Sequence, residues 1–190
     1  MEDFNRERIL QAADALFNTR GYKSVTIDDL AEKLGISKKT IYVHFDSKKD
    51  IATAVVEDIL QHITKKLDEA PLMDENPIDV LRTTIDQIKN EVLRIRPIFM
   101  ADIQKLLPKL WLRVVTYRDE HIIKFMCELI LKAQQLGLAK PLNPMLASQI
   151  FLDSLQTMAV PDVMMKSGFS VSEVIDTLTE IFIGGISTHG

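Results

Sequence analysis

The run TIDDLAEKLGISKKTIYVHF, residues 26–45, constrains the fold of this chain more than any other segment. Ile27, Leu30, Ala31 and Leu34 recur at helical spacing and stop at Gly35, the residue type that most readily takes the left-handed conformation ending a helix. Thr26 and Asp29 read as a capping box in its Asp form at the start of that segment. Two residues past the glycine, Ser37 is an N-cap for a second short segment. Its Ile41 and Phe45 are four apart and point the same way, inward. The run therefore predicts two short helices joined by the tight turn Gly35-Ile36-Ser37, with small Ala31 where they cross.

The remaining chain keeps the helical period. Ile9, Ala13, Leu16 and Phe17 predict a helix over 5–20, ended by Gly21. Ser47 with Asp50 opens a fourth helix over 48–70, carrying Ile51, Val55, Ile59, Ile63 and Leu67 at i,i+4 spacing. A loop is expected over 71–77. Pro77 then starts a helix to Arg96, Pro97 a short one to Leu107, and Pro108 a long one to Leu136, stopped by Gly137. After a turn at 140–144 the pattern gives a helix over 144–159, a loop over 161–170, and a last helix capped by Ser172 and reaching Ile183. No Val/Ile/Thr-rich alternating run lies between turn signals, so the expected fold class is all-α. The expected organisation is an N-terminal three-helix domain over 1–50, helix four as connector, and a helical body over 51–190.

Charge narrows the class of partner. The net charge of −4 argues against a polyanion, but residues 20–49 hold seven basic residues (Arg20, Lys23, Lys33, Lys38, Lys39, Lys48, Lys49) and four acids (Asp28, Asp29, Glu32, Asp46). That window is +3 and the remainder −7, which implies a basic face on an otherwise acidic chain. Lys38-Lys39 and Lys48-Lys49 fall in the first turns of two helices, where positive charge opposes the macrodipole. A phosphate backbone is a reason for that choice, because helix N-termini favour anions. Two short helices with this turn have helix-turn-helix geometry, in which the second helix would enter the major groove of double-stranded DNA, a pattern that purely structural helical hairpins share.

Thr26-Ile27-Asp28-Asp29-Leu30-Ala31, then Gly35-Ile36-Ser37-Lys38-Lys39-Thr40-Ile41-Tyr42-Val43-His44-Phe45 and Ser47-Lys48, resemble the DNA-binding segment of the tetracycline-repressor (TetR) family. The resemblance covers residues 5–50, with one departure at Lys39, where the family often has a small residue. It implies that Thr26, Tyr42, His44 and Lys48 hold phosphates, and that Lys38, Lys39, Thr40 and Val43, following the cap Ser37, face the groove.

For the body, the sequence gives no catalytic constellation. Its histidines, His62, His121 and His189, are scattered, as is His44 in the N-terminal segment, and neither cofactor nor metal is expected. Cys127, the single cysteine, reads as core and fits a reducing cytosol. No apolar run approaches the roughly 20 residues of a bilayer span, and Met1-Glu2-Asp3 opens no signal peptide, so a cytoplasmic chain without a membrane partner is expected. The resemblance implies a ligand cavity in the body. Met100, Ile103, Trp111, Tyr117, Phe125 and Met126 are the candidate contacts for a small, mainly apolar effector. Ile150, Phe151, Leu155 and Met158 on one late helix and Val174, Leu178, Ile181 and Phe182 on the last form wide apolar stripes, with Phe151, Leu155, Met158, Leu178, Ile181 and Phe182 the dimer candidates. The resemblance implies that such a pair makes half of a homodimer's four-helix bundle. The resulting reading is a homodimeric repressor released from a pseudo-palindromic operator by its effector. The alternatives are a regulator of the same fold that answers to a protein partner or activates, and a small-molecule carrier or enzyme with a vestigial helix-turn-helix.

Overall fold

A computed structural model describes residues 2–70 and 76–188, with side chains from Asn5 onward. The expected loop at 71–77 lies mostly outside the described residues, as does His189. Eleven helices occur among the described residues: α1 (Glu2–Ser24), α2 (Ile27–Leu34), α3 (Lys38–His44), α4 (Lys48–Asp68), α5 (Pro77–Arg94), α6 (Pro97–Leu106), α7 (Pro108–Tyr117), α8 (Lys124–Gln135), α9 (Pro144–Met158), α10 (Pro161–Ser167) and α11 (Val171–Ile186). The fold is all-α, and the described residues contain no strand, only an isolated antiparallel bridge between Ala139 and Ser187. The chain divides into two compact units. One comprises residues 1–61 and 94–113, the other 62–93 and 114–190.

In the first unit the apolar periodicity becomes a core of Ile9, Ala13, Phe17, Val25, Leu30, Ile41, Ile51, Phe99 and Ile103. Phe17 is the hinge of this packing, its ring 5.2 Å from Phe99 on α6 and 5.5 Å from Tyr22. The regular helix of α1 ends at Gly21, whose φ of 78° and ψ of 154° are open only to glycine. A Cβ there would also lie 2.7 Å from Oδ2 of Asp102 on α6. Ion pairs from Arg94 to Asp14 and Asp58, and from Arg113 to Glu57, lie on the surface of this unit.

The second unit is built around Ile78, Val80, Leu81, Met126, Leu129, Ile130, Phe151 and Ile183. Here α5 and α11 are tied by Arg82–Glu180 and Lys89–Asp176. The C-terminal end is pinned beside the α8–α9 connection, where Lys140 N–H donates to Ile186 O (2.7 Å) and Thr188 N–H to Leu138 O (3.0 Å).

Three details differ from the sequence expectation. Residues 161–167 form a helix rather than a loop. Pro161 occupies its first turn with Asp162, Lys166 its last, and Gly168 ends it at φ 74°, so the residues that punctuate a loop here bracket a short helix. The last helix is capped by Ser170, not Ser172, and runs to Ile186. Ser170 Oγ accepts the Glu173 N–H (3.2 Å) while the Glu173 carboxylate accepts the Ser170 N–H (2.8 Å), a full capping box. The long helix expected over 108–136 is interrupted by a π-helical turn, Arg118–Ile123, where Tyr117 stacks on His121 at 4.6 Å.

Candidate nucleic-acid interface

The site is assembled by side chains that bind main chain. Thr26 caps α2: its Oγ1 accepts the Asp29 N–H (3.1 Å), and Asp29 Oδ2 accepts both the Thr26 N–H (2.7 Å) and its hydroxyl (2.5 Å). Arg20 adds an ion pair to Asp29 at 2.9 Å. These donors hold the Asp29 carboxyl at a pKa of about 2, the Thr26 hydroxyl being the largest cause, followed by the Thr26 N–H and Arg20. At the other end Gly35 takes φ 66° and ψ 33°, the left-handed conformation. Ile36 N–H then returns to Ala31 O (3.1 Å), closing the last turn. Ser37 Oγ accepts the Thr40 N–H (3.1 Å) and starts α3. The turn between the two helices is thus fixed at both ends by local chemistry.

On α3, Ile41 is fully buried and Phe45 closely packed, which turns the opposite face outward. Tyr42 is 50% and Val43 67% exposed, and both are apolar enough that water is a poor environment for them. Lys38 and Lys39 share this exposed side. Lys38 pairs with Asp28 at 2.9 Å, and that partner raises its pKa. Thr40 and His44 are half-buried. The sequence-predicted groove residues Lys38, Lys39 and Val43 therefore come together with Tyr42 on one side of one short helix.

Lys48 sits differently. It is half-buried, and its ammonium donates to Tyr22 O (2.8 Å) and Val25 O (2.7 Å) while lying 4.2 Å above the Tyr22 ring. The positive charge in the first turn of α4 thus has a partner within the chain.

The remaining predicted residues fall in both units. Met100, Ile103 and Trp111 belong to the first unit and Tyr117, Phe125 and Met126 to the second. Ile103 and Met126 are core residues. Tyr117 is buried with its hydroxyl 2.9 Å from that of Thr64. In the second unit a groove of about 780 Å³ runs between α9 and α11, lined by Leu146, Ile150, Met158, Phe169, Val174 and Leu178 among others. None of the six effector candidates lines it. Of the six dimer candidates, Met158 and Leu178 line the groove and Ile181, 65% exposed, is on the outer surface of α11. Phe151 is 5% exposed, and Phe182, its ring centroid 4.8 Å away and tilted to it, packs partly buried against the core of the same unit. Leu155 is half-buried. Leu146 and Phe169 lie outside the stripes read from the sequence, because an apolar stripe does not say which of its edges faces the neighbouring helix. Among the described residues no group of three or more His, Cys, Asp or Glu is placed to hold a metal ion. No described helix is long and apolar enough to cross a membrane.

Fold and site together define a helix-turn-helix DNA-binding regulator. Residues 9–55 match the family described as bacterial regulatory proteins, tetR family. Over 187 residues, 95% of each chain, the protein is 25% identical to the HTH-type transcriptional regulator YvaF of Bacillus subtilis. Over 46 residues, 24% of this chain and 25% of the other, it is 44% identical to IcaR, the negative transcriptional regulator of the biofilm operon icaADBC in Staphylococcus aureus. A TetR-family regulator from Agrobacterium tumefaciens shares the fold with a TM-score of 0.80 at 17% identity, over 99% of this chain and 100% of that one. Residues 9–55 are thus a tetR-family DNA-binding segment, and the chain as a whole is similar to transcriptional regulators of that family.

Proposed function

We propose that the protein is a cytoplasmic homodimeric repressor, released from a pseudo-palindromic operator by a small, mainly apolar effector bound without metal or cofactor. The observation that carries the DNA contact is the exposed side of α3, where Lys38, Lys39, Tyr42 and Val43 project together. Lysine ammonium groups reach guanine acceptors or phosphate, the Tyr42 hydroxyl reaches phosphate, and Val43 meets a thymine methyl. Thr26, Ser37, Thr40 and His44 frame this face; the Thr26 hydroxyl turns from Asp29 to donate to phosphate. Likeness to the negative regulator IcaR over the matched segment supports repression. The dimer is supported by the groove between α9 and α11 and by exposed Ile150 and Ile181 beside it. A homodimer presents two recognition helices, which read a pseudo-palindrome when they lie about 34–36 Å apart, one turn of DNA. The effector candidates are Met100, Ile103, Trp111, Tyr117, Phe125 and Met126, and the fluorescence of Trp111, the single tryptophan, is the reporter of binding.

The test is duplex binding to sites selected from random DNA, measured against salt. A sequence-specific complex whose affinity falls steeply with salt is expected. Lys39→Ala then changes the preferred sequence, while Tyr42→Phe weakens all sequences alike. Absence of salt-dependent duplex binding overturns the reading.

A further inference from the structure

The connection between α1 and α2 is held more firmly than a surface turn requires. Residues 22–25 run from non-helical Gly21 to the cap Thr26, and their carbonyls fall where α1 has no further turn to supply donors. Lys48 reaches in from α4 and gives two of its three ammonium hydrogens to Tyr22 O and Val25 O, at 2.8 and 2.7 Å. Its charge rests on the Tyr22 ring at 4.2 Å. From α6, Asp102 Oδ2 accepts the Lys23 N–H at 2.7 Å and fits against Gly21, where a Cβ would collide with it. One turn earlier, Asn18 Oδ1 accepts the Arg96 N–H at 2.7 Å, fastening the start of α6 to α1. The Val25 side chain is fully buried beneath the clamp.

We propose that Lys48 and Asp102 are positioning residues for DNA binding, gripping the backbone of residues 22–25 from α4 and α6 and so fixing the angle at which α2 and α3 leave α1. The assignment rests on the DNA-binding reading above and gives Lys48 a role other than a phosphate ligand. A lysine that serves phosphate points into solvent in the free protein; this one is drawn inward by two carbonyls and an aromatic face. Burial lowers its pKa, with Asp102 and Asp29 opposing that shift. Three short contacts within four residues leave the chain before Thr26 one conformation, and the exposed side of α3 inherits its direction from that segment.

Operator binding by Lys48→Met, Asp102→Ala and the double variant tests this, measured as a salt series beside the wild type. Lys48→Met is expected to lose roughly tenfold in affinity with an unchanged salt slope, because a positioning residue releases no counterion. The double variant is expected to depart from the product of the single losses by more than about twofold, since both residues hold the same segment. Amide exchange at Lys23 and Thr26 in the free Lys48→Met protein is expected to quicken. A slope reduced by about one, with multiplicative losses and unaltered exchange, makes Lys48 a phosphate ligand and overturns the proposal. Should Lys48→Met not fold, Tyr22→Leu carries the same readouts, because it removes the seat of the ammonium and touches no phosphate. A wild type that binds no duplex fails the DNA-binding reading instead, and the amide exchange still decides whether the clamp exists.

Discussion

The α1–α3 region and the α9–α11 face are organised by opposite means. In the first, polar side chains are aimed at backbone: Thr26, Asp29, Ser37, Lys48 and Asp102 each bind a main-chain N–H or carbonyl. In the second, positions along the helices are set by packing, with Phe151 on Phe182 inside and Ile150 and Ile181 left outside. A region fixed by caps has its geometry encoded within a few residues of sequence. A region fixed by packing has it encoded by which helix lies beside which. Recognition of DNA needs the first kind, since the relative placement of two short helices is the function. The proposed association of two copies would tolerate the second, since an apolar face adapts to what covers it.

Two neighbouring substitutions on α11 test this contrast with the largest expected effects. Phe182 packs against the core cluster of its unit, so Phe182→Asp removes that packing and forces a carboxylate toward apolar walls. The loss is expected to exceed about 3 kcal/mol and to abolish the helical circular dichroism of a folded protein. Ile181, one residue earlier and exposed, loses nothing internal as Asp. Its variant keeps helical dichroism and, on the proposed dimer, sediments as a monomer at concentrations where the wild type is expected to sediment as a dimer. A folded Phe182→Asp protein, or a dimeric Ile181→Asp protein, breaks the distinction between inside and outside drawn here.

Gly21 gives the next largest effect. Its conformation is one that only glycine adopts readily, and Asp102 occupies the space of a Cβ. Gly21→Ala is expected to destabilise the protein by about 1–3 kcal/mol in denaturant titration. It is also expected to weaken duplex binding, because Asp102 must release the Lys23 N–H to make room. A stability change without any change in DNA affinity would separate this junction from the placement of α2 and α3.

The same contrast explains what the sequence disclosed. The caps Thr26, Ser37 and Ser47 and the stop at Gly35 are legible because each acts on backbone within about one helical turn of itself. Ser170 with Glu173 satisfies the same capping rule as Thr26 with Asp29, but Pro161 and Gly168 punctuate a short helix and a loop alike, so the pattern alone does not place the cap. Lys48 is instructive in another way. Positive charge in a first helical turn reads in sequence as an approach to phosphate, whereas its partners are carbonyls 26 and 23 residues away. No local rule connects those positions. Likewise, periodicity shows that α9 and α11 are apolar on one side, but only the packing of the second unit distinguishes Phe151, turned in, from Ile150, turned out.

The smallest effect expected is also the one that compares the two units most directly, because each contains a capping box with a carboxylate at its third position. Asp29 closes the box on Thr26 in the first unit and Glu173 the box on Ser170 in the second. Both carboxyls are held below their ordinary pKa, Asp29 at about 2 and Glu173 in the same direction through the Ser170 N–H and hydroxyl. Arg20 gives Asp29 a partner that the Glu173 box does not include. A carboxyl whose pKa is lowered by folding stabilises the folded state fully above its unfolded pKa and ceases to do so as pH falls through the folded value. For Asp29 that window runs from its ordinary value of 3.8 down to about 2. The stability difference between wild type and Asp29→Asn is therefore expected to be constant near neutrality, to shrink below pH 4, and to approach a floor near pH 2. Glu173→Gln is expected to follow the same course with a smaller difference throughout. Because Arg20 is exposed and Asp29 only partly buried, salt screens the Arg20 contribution and narrows the gap between the two variants. Denaturant titrations of the wild type and both variants between pH 2 and 7, at low and high salt, check it. A difference for Asp29→Asn that grows on acidification, or that equals Glu173→Gln at low salt, would mean that Arg20 adds nothing to the box that opens the recognition unit.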